Sequence, residues 1–294
     1  MKNFLSIVCI SVCLNLGFSA FALENVLNKN NTDDAFALAV MKKRIPKKYL
    51  SFSTIALNYS AMFTLSDSVN SPDESDVDRP VSYEVDTHYL KFVQKETGKN
   101  SGRGVSDFSF AYEPEKSKVE ILEARRIKED GQFLRLNQKD VKNESITSNS
   151  QKAIYKNLYH KAFSLKDVQK GDFVEIRTRS INKSKMGPYG YGQAYWFGNS
   201  GYPVLNEKLC ITANKKTPVR FKLVDSQKIV KRSSSNIDSD HVMYCFEASD
   251  IEPEIWEPNT PQRIYSTPVL YVTTWENWDD YGKWLAKKYD GKFE

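Results

Sequence analysis

Residues 81–90 read VSYEVDTHYL, and this stretch is the clearest indicator of the fold. Every second side chain is apolar, aromatic or threonine, namely Val81, Tyr83, Val85, Thr87 and Tyr89. The intervening residues are polar or charged. A period of two residues is typical of a β-strand with one face buried and the other face in water. The sequence therefore predicts that a sheet begins here.

Similar short patterns continue along the chain and extend this sheet. They occupy residues 108–112, 119–127, 132–136, 153–163, 173–179, 194–198, 207–213, 219–225 and 242–248. Gly131 lies between two of them, in KEDG, where a hairpin turn needs a residue that tolerates positive φ. Short strands at this spacing are typical of a sandwich. We therefore predict a mainly β protein, an antiparallel β-sandwich with a C-terminal α-helix.

The C-terminal stretch 273–294 carries the helical pattern. Thr273 and Glu276 have the spacing of a capping box, and aromatic residues then recur at helical intervals. The predicted organisation is a signal peptide (1–22), a poorly defined segment with an acidic linker (23–80), a β-sandwich domain (81–272) and the helix (273–294).

The first 22 residues have the features of a secretory leader. Lys2 is followed by a short apolar run, and Ala20-Phe21-Ala22 fits a cleavage site. No other run approaches the length of a membrane span. We therefore expect an exported protein, periplasmic or secreted, without stable membrane insertion after the leader is cleaved.

The charge pattern argues against nucleic acid as a partner. The formal net charge is +5, but lysines and acids are interspersed along the chain instead of forming a basic stripe. The sequence also contains no phosphate loop, dinucleotide fingerprint or zinc-ligand spacing. We expect no cofactor and no metal.

Two cysteines remain beyond the leader, and strand parity suggests a role for them. Leu209 and Ile211 take the apolar face of one strand, so Cys210 points the other way, and Cys245 alternates in the same manner with its aromatic neighbours. If the two strands are neighbours, the sulfurs can meet in a disulfide, which an oxidising compartment favours. Two unpaired structural thiols are the alternative.

Cysteine catalysis is not supported by the sequence. His241 and Cys245 share a strand face, but four residues of strand separate them by about 13 Å. No glycine elbow or helix start surrounds either cysteine to lower its pKa. We therefore expect no catalytic Cys-His-Asp constellation in this chain and no enzymatic activity.

Aromatic residues supply the candidate interaction surface. Tyr189, Tyr191 and Tyr195 crowd a glycine-punctuated segment, where flat rings beside turns can bind sugars or extended peptides. In the alternative interpretation, this segment fills the core and covers its edge. The helix adds a second group of candidates, namely Trp275, Trp278 and Trp284.

Several longer stretches occur in an order that defines a family. They are ARRIKEDGQ (124–132), YHKAFSLKDVQKGDFVEIRTRS (159–180), YWFGNSGYPVLNEKLCI (195–211), EASDIEPEIWEPNTPQRIYSTP (247–268) and TTWENWDDYGKWL (273–285). In this order the chain resembles the bacterial domain of unknown function three-eight-five-seven. That domain usually lies N-terminal to a transglutaminase-like domain in exported proteins.

The resemblance implies a β-sandwich and an association with transglutaminase-like systems, but it implies no catalytic residues. The neighbouring catalytic domain carries its nucleophile in a GDCKD-like segment, and here Gly171-Asp172 leads into a strand without cysteine. We therefore favour an accessory or binding module whose partner is a transglutaminase-like protein or a cell-envelope polymer. Two alternatives remain: an N-terminal fragment or split partner of a transglutaminase-like cysteine peptidase, and a carbohydrate-binding module.

Overall fold

The computed structural model of the chain describes residues 29–42, 44–65, 82–95, 105–145, 157–182, 191–199, 201–217, 219–254 and 267–289. The predicted leader and the acidic linker at 66–80 lie outside these residues. The chain divides between Arg44 and Ile45 into two units. Helix α1 (Lys29–Met41) belongs to the first unit, and the strands and helix α2 (Trp278–Tyr289) belong to the second.

The second unit consists mainly of strands. In chain order they are β1 (Thr54–Leu65), β2 (Tyr83–Val93), β3 (Asp107–Tyr112), β4 (Ser117–Ile127), β5 (Phe133–Arg135), β6 (Lys142–Ser145), β7 (Tyr159–Ser164), β8 (Phe173–Asn182), β9 (Gly192–Trp196), β10 (Val204–Asn214), β11 (Arg220–Val224), β12 (Lys231–Asn236), β13 (His241–Ile251) and β14 (Val269–Thr273). Two 3-10 turns, Lys47–Tyr49 and Gln138–Asp140, complete the described elements.

The strands form one large sheet and two small ones. The central sheet has the order β12-β13-β10-β1-β2-β8-β4-β5. Its neighbouring strands are antiparallel apart from β1 and β10, which run parallel. The β14 sheet has the order β11-β14-β9, and the β7 sheet has the order β3-β7-β6.

Both small sheets cover the same face of the central sheet. Tyr89 on β2 lies opposite Tyr59 on β1 and Ile176 on β8, so these side chains share one face. On this face, Leu270 of the β14 sheet packs in a core cluster with residues of β1 and β10. Phe163 of the β7 sheet packs in a second core cluster, which contains Ile176. Two layers that bury their facing side chains confirm the predicted β-sandwich.

Strand β1 is the main departure from the predicted domain organisation. The sequence left residues 23–80 undefined, whereas β1 lies inside the central sheet between β2 and β10. A register shift between Ala56 and Asn58 interrupts its pairing with β2, so buried residues do not keep a period of two. The alternation of buried residues is therefore confined to the end of the strand, at Ala61, Phe63 and Leu65.

The β4–β5 hairpin forms as the sequence predicts. Arg125 on β4 lies opposite Arg135 on β5, and Gly131 in the connection has a φ of 87°. A glycine adopts this left-handed conformation without the steric cost that a side chain would bring. The prediction of positive φ at this position is confirmed.

Helix α2 begins later than the sequence predicts. Thr273 is the last residue of β14, and its hydroxyl accepts a hydrogen bond from the Trp275 amide at 3.1 Å. Asn277 caps the helix, because its side-chain oxygen accepts from the Asp280 amide at 2.9 Å and its amide group donates to the Asp280 carboxylate at 3.0 Å. The capping box assigned to Thr273 and Glu276 is therefore wrong, and the cap lies at Asn277.

The described helices do not include a membrane span. None of them combines the length and the hydropathy that a crossing requires.

Candidate functional site

A cleft of about 1160 Å³ opens beside β2 and the β7 sheet. Strand β2 contributes Tyr89 and Lys91, and the loop before β10 contributes Tyr202. The other lining residues are Ser53, Thr54, Val105, Asp107, Phe108, Ser109, Phe110, Lys139, Asp140, Lys142, Glu144, His160, Ala162, Phe163, Ser164, Lys166 and Gly201. The cleft therefore combines aromatic rings, ammonium groups and carboxylates, which is the composition of a binding site for a polar ligand.

The Lys91 ammonium lies among aromatic rings. Its Nζ atom is 4.8 Å from the ring centroid of Tyr202, 5.7 Å from that of Tyr89 and 5.9 Å from that of Phe108. Each ring face attracts the cation by its quadrupole, and together the rings fix the position of the long side chain. Burial raises the pKa of Tyr89, so its hydroxyl stays neutral at physiological pH. Lys91 is therefore a positioned cation in the cleft.

The carboxylates in the cleft already have partners in the protein. Asp140 lies 3.7 Å from the Lys166 ammonium, and Glu144 lies 3.5 Å from His160 Nε2. Asp107 accepts a hydrogen bond from the Ser164 hydroxyl at 2.5 Å. Each of these three acids therefore lies beside another side chain of the protein.

Tyr191 and Tyr195 do not form the surface that the sequence predicted. Tyr191 is only 2% exposed, and both rings pack against Phe63 in the core beneath the β14 sheet. Their hydroxyl groups contact each other. Tyr189 lies outside the described residues. The segment is rich in aromatics because it supplies the core, which corresponds to the alternative interpretation of its sequence.

The tryptophans of the C-terminal segment differ in exposure. Trp275 is half-buried, and its ring meets that of Tyr281 edge to face at 5.5 Å between centroids. Trp278 is 84% exposed. The side chain of Trp284 lies outside the described part of the structure. Trp278 is therefore the candidate from this group that a partner can reach most easily.

Cys210 and Cys245 form a disulfide. The two residues lie directly opposite each other on β10 and β13, with Cα atoms 4.2 Å apart. Both side chains are buried, on the face opposite the one that carries Leu209 and Ile211. Neither sulfur is therefore available as a thiolate while the bond is intact.

A buried charge cluster lies on the other face of the central sheet, and sequence analysis missed it. Glu175 is fully buried, Arg125 Nε donates to its carboxylate at 2.5 Å, and His88 Nε2 lies 2.7 Å from its other oxygen. The Arg125 guanidinium also lies over the Phe133 ring at 4.3 Å. Burial raises the pKa of Glu175, but the hydrogen bond from His88 and the positive charge of Arg125 together hold it below its ordinary value.

The sequence carried little signal for this cluster or for the cleft. His88 occupies an ordinary polar position of the alternating pattern, like a side chain in water. Lys91 and Tyr202 are far apart in the chain and meet only in the folded protein. Among the described residues, no group of His, Cys, Asp and Glu side chains could hold a metal ion.

The fold and the cleft define a two-layer, mainly β protein with an open groove at one side of its sandwich. Residues 82–255, more than half of the chain, match the family model of DUF3857, a domain of unknown function with a solved structure. The chain belongs to the DUF3857 family. No curated protein matches its sequence.

One solved structure shares the fold of this chain at low sequence identity. The chain is similar to a candidate protease from Parabacteroides distasonis, with a TM-score of 0.64, 15% identity and coverage of 76% of this chain and 41% of that one. An M1 zinc metallopeptidase from Deinococcus radiodurans matches with a TM-score of 0.38, 9% identity and coverage of 75% and 42%. The chain thus spans about two fifths of the length of each. The similarity to the first of these structures concerns the fold alone.

Proposed function

We propose that this chain is an exported, non-catalytic β-sandwich module that binds a partner through the cleft beside β2 and the β7 sheet. The observation that carries this proposal is the Lys91 ammonium, held among three aromatic rings in an open cleft of about 1160 Å³. Preorganised polar and aromatic groups in a concave surface reduce the entropic cost of binding.

The proposed absence of catalysis has support from the cysteines. Both are bonded to each other, so neither supplies the thiolate that a transglutaminase-like cysteine peptidase needs. His160 in the cleft lies beside Glu144, and no described cysteine lines that cleft.

Export has support from the leader pattern and from the disulfide, because disulfides persist in oxidising compartments. An accessory role beside a transglutaminase-like protein rests on what the sequence resemblance implies. The partner is then that protein or a polymer of the cell envelope. A carbohydrate-binding module built on Tyr191 and Tyr195 is disfavoured, because their rings pack in the core.

The full chain, expressed with its own leader and purified after export, is expected to show no turnover. Fluorogenic peptide hydrolysis and amine incorporation into a glutamine peptide measure the two relevant reactions. Both signals should equal those of buffer, because the cleft has no thiolate. Turnover that Cys210→Ala or His160→Ala abolishes would show that the module is an enzyme.

Tyr202→Ala is expected to weaken ligand binding by about tenfold or more, which corresponds to ~1.4 kcal/mol, because aromatic anchors dominate binding energy. Binding to peptidoglycan sacculi and to a random peptide library measures this loss. The matched control is Trp278→Ala, which removes a highly exposed aromatic from α2, outside the cleft. If Trp278→Ala abolishes binding and Tyr202→Ala does not, the helix and not the cleft is the interface.

A further inference from the structure

We propose that the ligand of the cleft is an extended peptide segment with an acidic side chain. The peptide pairs with the open edge of β3 and places its carboxylate beside Lys91. This inference rests on the proposed binding function of the cleft and adds the chemical class of the ligand. It follows from the hydrogen-bonding pattern of β3, from its lack of the lysines that the edge strands β6 and β12 carry, and from the charges in the cleft.

Strand β3 has an open edge that faces away from β7. It lies at the end of the β7 sheet, and its only described strand partner is β7. The Leu165 amide donates to the Ser106 carbonyl at 2.9 Å, so the hydrogen-bonded pairs with β7 fall on every second residue from Ser106. The amide and carbonyl groups of Asp107, Ser109 and Ala111 therefore point to the open side.

The edge of β3 lacks the features that protect other edges of this protein. Its sequence, DFSFAY, contains no lysine and no proline. The opposite edge of the β7 sheet, β6, reads KNES and is exposed throughout, and the edge strand β12 of the central sheet reads KRSSSN. Charged side chains, especially lysine, discourage the addition of another strand. Strand β3 therefore lacks the lysines that discourage strand addition at β6 and β12.

A strand added to this edge lies along the lining of the cleft. Asp107 and Ser109, whose backbone groups are open, line the cleft and have exposed side chains. Main-chain hydrogen bonds to β3 supply affinity for any extended peptide, and pockets for alternate side chains supply specificity. The open groups recur every two residues, which matches the repeat of a peptide backbone and not that of a sugar chain.

The charges of the cleft favour a carboxylate on the peptide. Asp140 already lies beside the Lys166 ammonium, and Glu144 lies beside the His160 imidazole. Among the described residues, no carboxylate lies within ion-pair distance of Lys91, Lys139 or Lys142. An incoming carboxylate therefore gains an ionic partner at Lys91, which the aromatic rings hold in place. A cationic peptide meets uncompensated like charge there.

The experiment measures binding of fluorescent, terminally blocked octapeptides to the full chain, expressed with its own leader. The parent peptide alternates valine and threonine around one central glutamate. A second peptide has glutamine in place of glutamate. Two further peptides carry N-methyl groups on alternate backbone amides. One is methylated at the odd-numbered residues and the other at the even-numbered residues. Blocked ends remove the terminal carboxylate as a source of charge, so the glutamate side chain is the carboxylate under test.

The protein variants separate the backbone edge from the charge. Ser109→Pro removes an amide that points to the open side, and proline is tolerated at such edge positions. The matched control is Ser234→Pro on the exposed edge strand β12, where the Ile237 amide bonds to His241, so alternation leaves Ser234 facing outward. Lys91→Met removes the ammonium, and Lys231→Met on β12 is its control.

The expected results are specific. The glutamate peptide binds at least about fivefold more tightly than the glutamine peptide, as expected for a charge-assisted hydrogen bond. One phase of N-methylation weakens binding by about tenfold or more, and the other phase changes it little, because alternate amides face β3. Ser109→Pro gives a similar loss, and Lys91→Met removes the preference for glutamate. Both control variants bind like the parent protein.

Other results overturn the inference. Equal effects of the two N-methyl phases exclude strand addition, and a glutamate preference that survives Lys91→Met excludes the carboxylate contact. If Ser109→Pro does not fold, the N-methylated peptides carry the test. Binding of an acidic polysaccharide that Tyr202→Ala weakens, without peptide binding, refutes the peptide ligand but leaves the proposed function intact. If Tyr202→Ala weakens the binding of neither the peptides nor the polysaccharide, the proposed function itself is refuted.

Discussion

Glu175→Ala is expected to lower the free energy of unfolding by about 3–5 kcal/mol, because it removes the carboxylate from a buried ion pair and leaves the buried guanidinium in place. Arg125 is only 1% exposed and donates to the Glu175 carboxylate at 2.5 Å, and His88 binds the other oxygen. The alanine variant retains the guanidinium in a site that water does not reach. Urea unfolding at pH 7 measures the loss.

The matched control is Glu120→Ala on the neighbouring strand β4. Glu120 forms an ion pair with Lys118 at 2.5 Å, but both side chains are accessible to solvent. Solvent-exposed pairs contribute about 0–1 kcal/mol, so this variant should be close to the parent protein. Equal losses from the two substitutions would contradict the assignment of Glu175 as a buried structural carboxylate.

The stability difference between Glu175→Ala and the parent protein should depend on pH. The pKa of Glu175 in the folded protein lies below its ordinary value of 4.5. A lowered carboxyl pKa stabilises the folded state fully above that ordinary value, and the contribution is lost as the pH falls through the folded pKa. The stability difference between the parent protein and Glu175→Ala should therefore shrink when unfolding is measured below about pH 4.5. A difference that grows on acidification would contradict the direction of the shift.

Removal of the disulfide is expected to cost about 4 kcal/mol of unfolding free energy. The bonded cysteines are separated by 35 residues, and the entropy of closing a loop of this length predicts that magnitude. The comparison is between the exported parent protein and the Cys210→Ala/Cys245→Ala variant in denaturant unfolding. Reductant should lower the stability of the parent protein towards that of the variant.

The double variant is also the control for the reductant, because its own stability should not change when the reductant is added. Thiol titration of the denatured, exported protein gives a second readout. Cleavage of the predicted leader would remove Cys9 and Cys13, so the account expects no free thiol. If two thiols react and reductant still lowers the stability of the parent protein, the reactive thiols are Cys9 and Cys13 of a retained leader. Reactive thiols with no effect of the reductant contradict the bond between Cys210 and Cys245.

The sequence predicted those parts of the fold that depend on local pattern. Alternation identified β2 and the β4–β5 hairpin, including positive φ at Gly131, because one face of each strand is buried. Parity also placed Cys210 and Cys245 on the face opposite the β14 sheet. Strands β1, β6, β12 and β14 were not predicted. The bulge in β1 interrupts its alternation, β6 and β12 are polar and almost fully exposed, and β14 is an almost continuous apolar run.

The candidate site could not be predicted from local pattern. Its central contact joins Lys91 on β2 to the ring of Tyr202, and more than a hundred residues lie between them in the sequence. Aromatic richness alone also misled, since a ring in a glycine-punctuated segment can face either the solvent or the core. Tyr191, just before β9, faces the core, whereas Tyr202, in the loop between β9 and β10, faces the cleft.

An NMR titration of the ¹⁵N-labelled, exported protein tests most directly whether the cleft is the binding surface. The probes are the blocked glutamate peptide and soluble peptidoglycan fragments, added separately. We predict that at least one probe shifts the backbone amides of Ser109 and Tyr202 and leaves the indole N–H of Trp278 unchanged. Shifts confined to Trp278, or no shift in the cleft with either probe, would contradict the account.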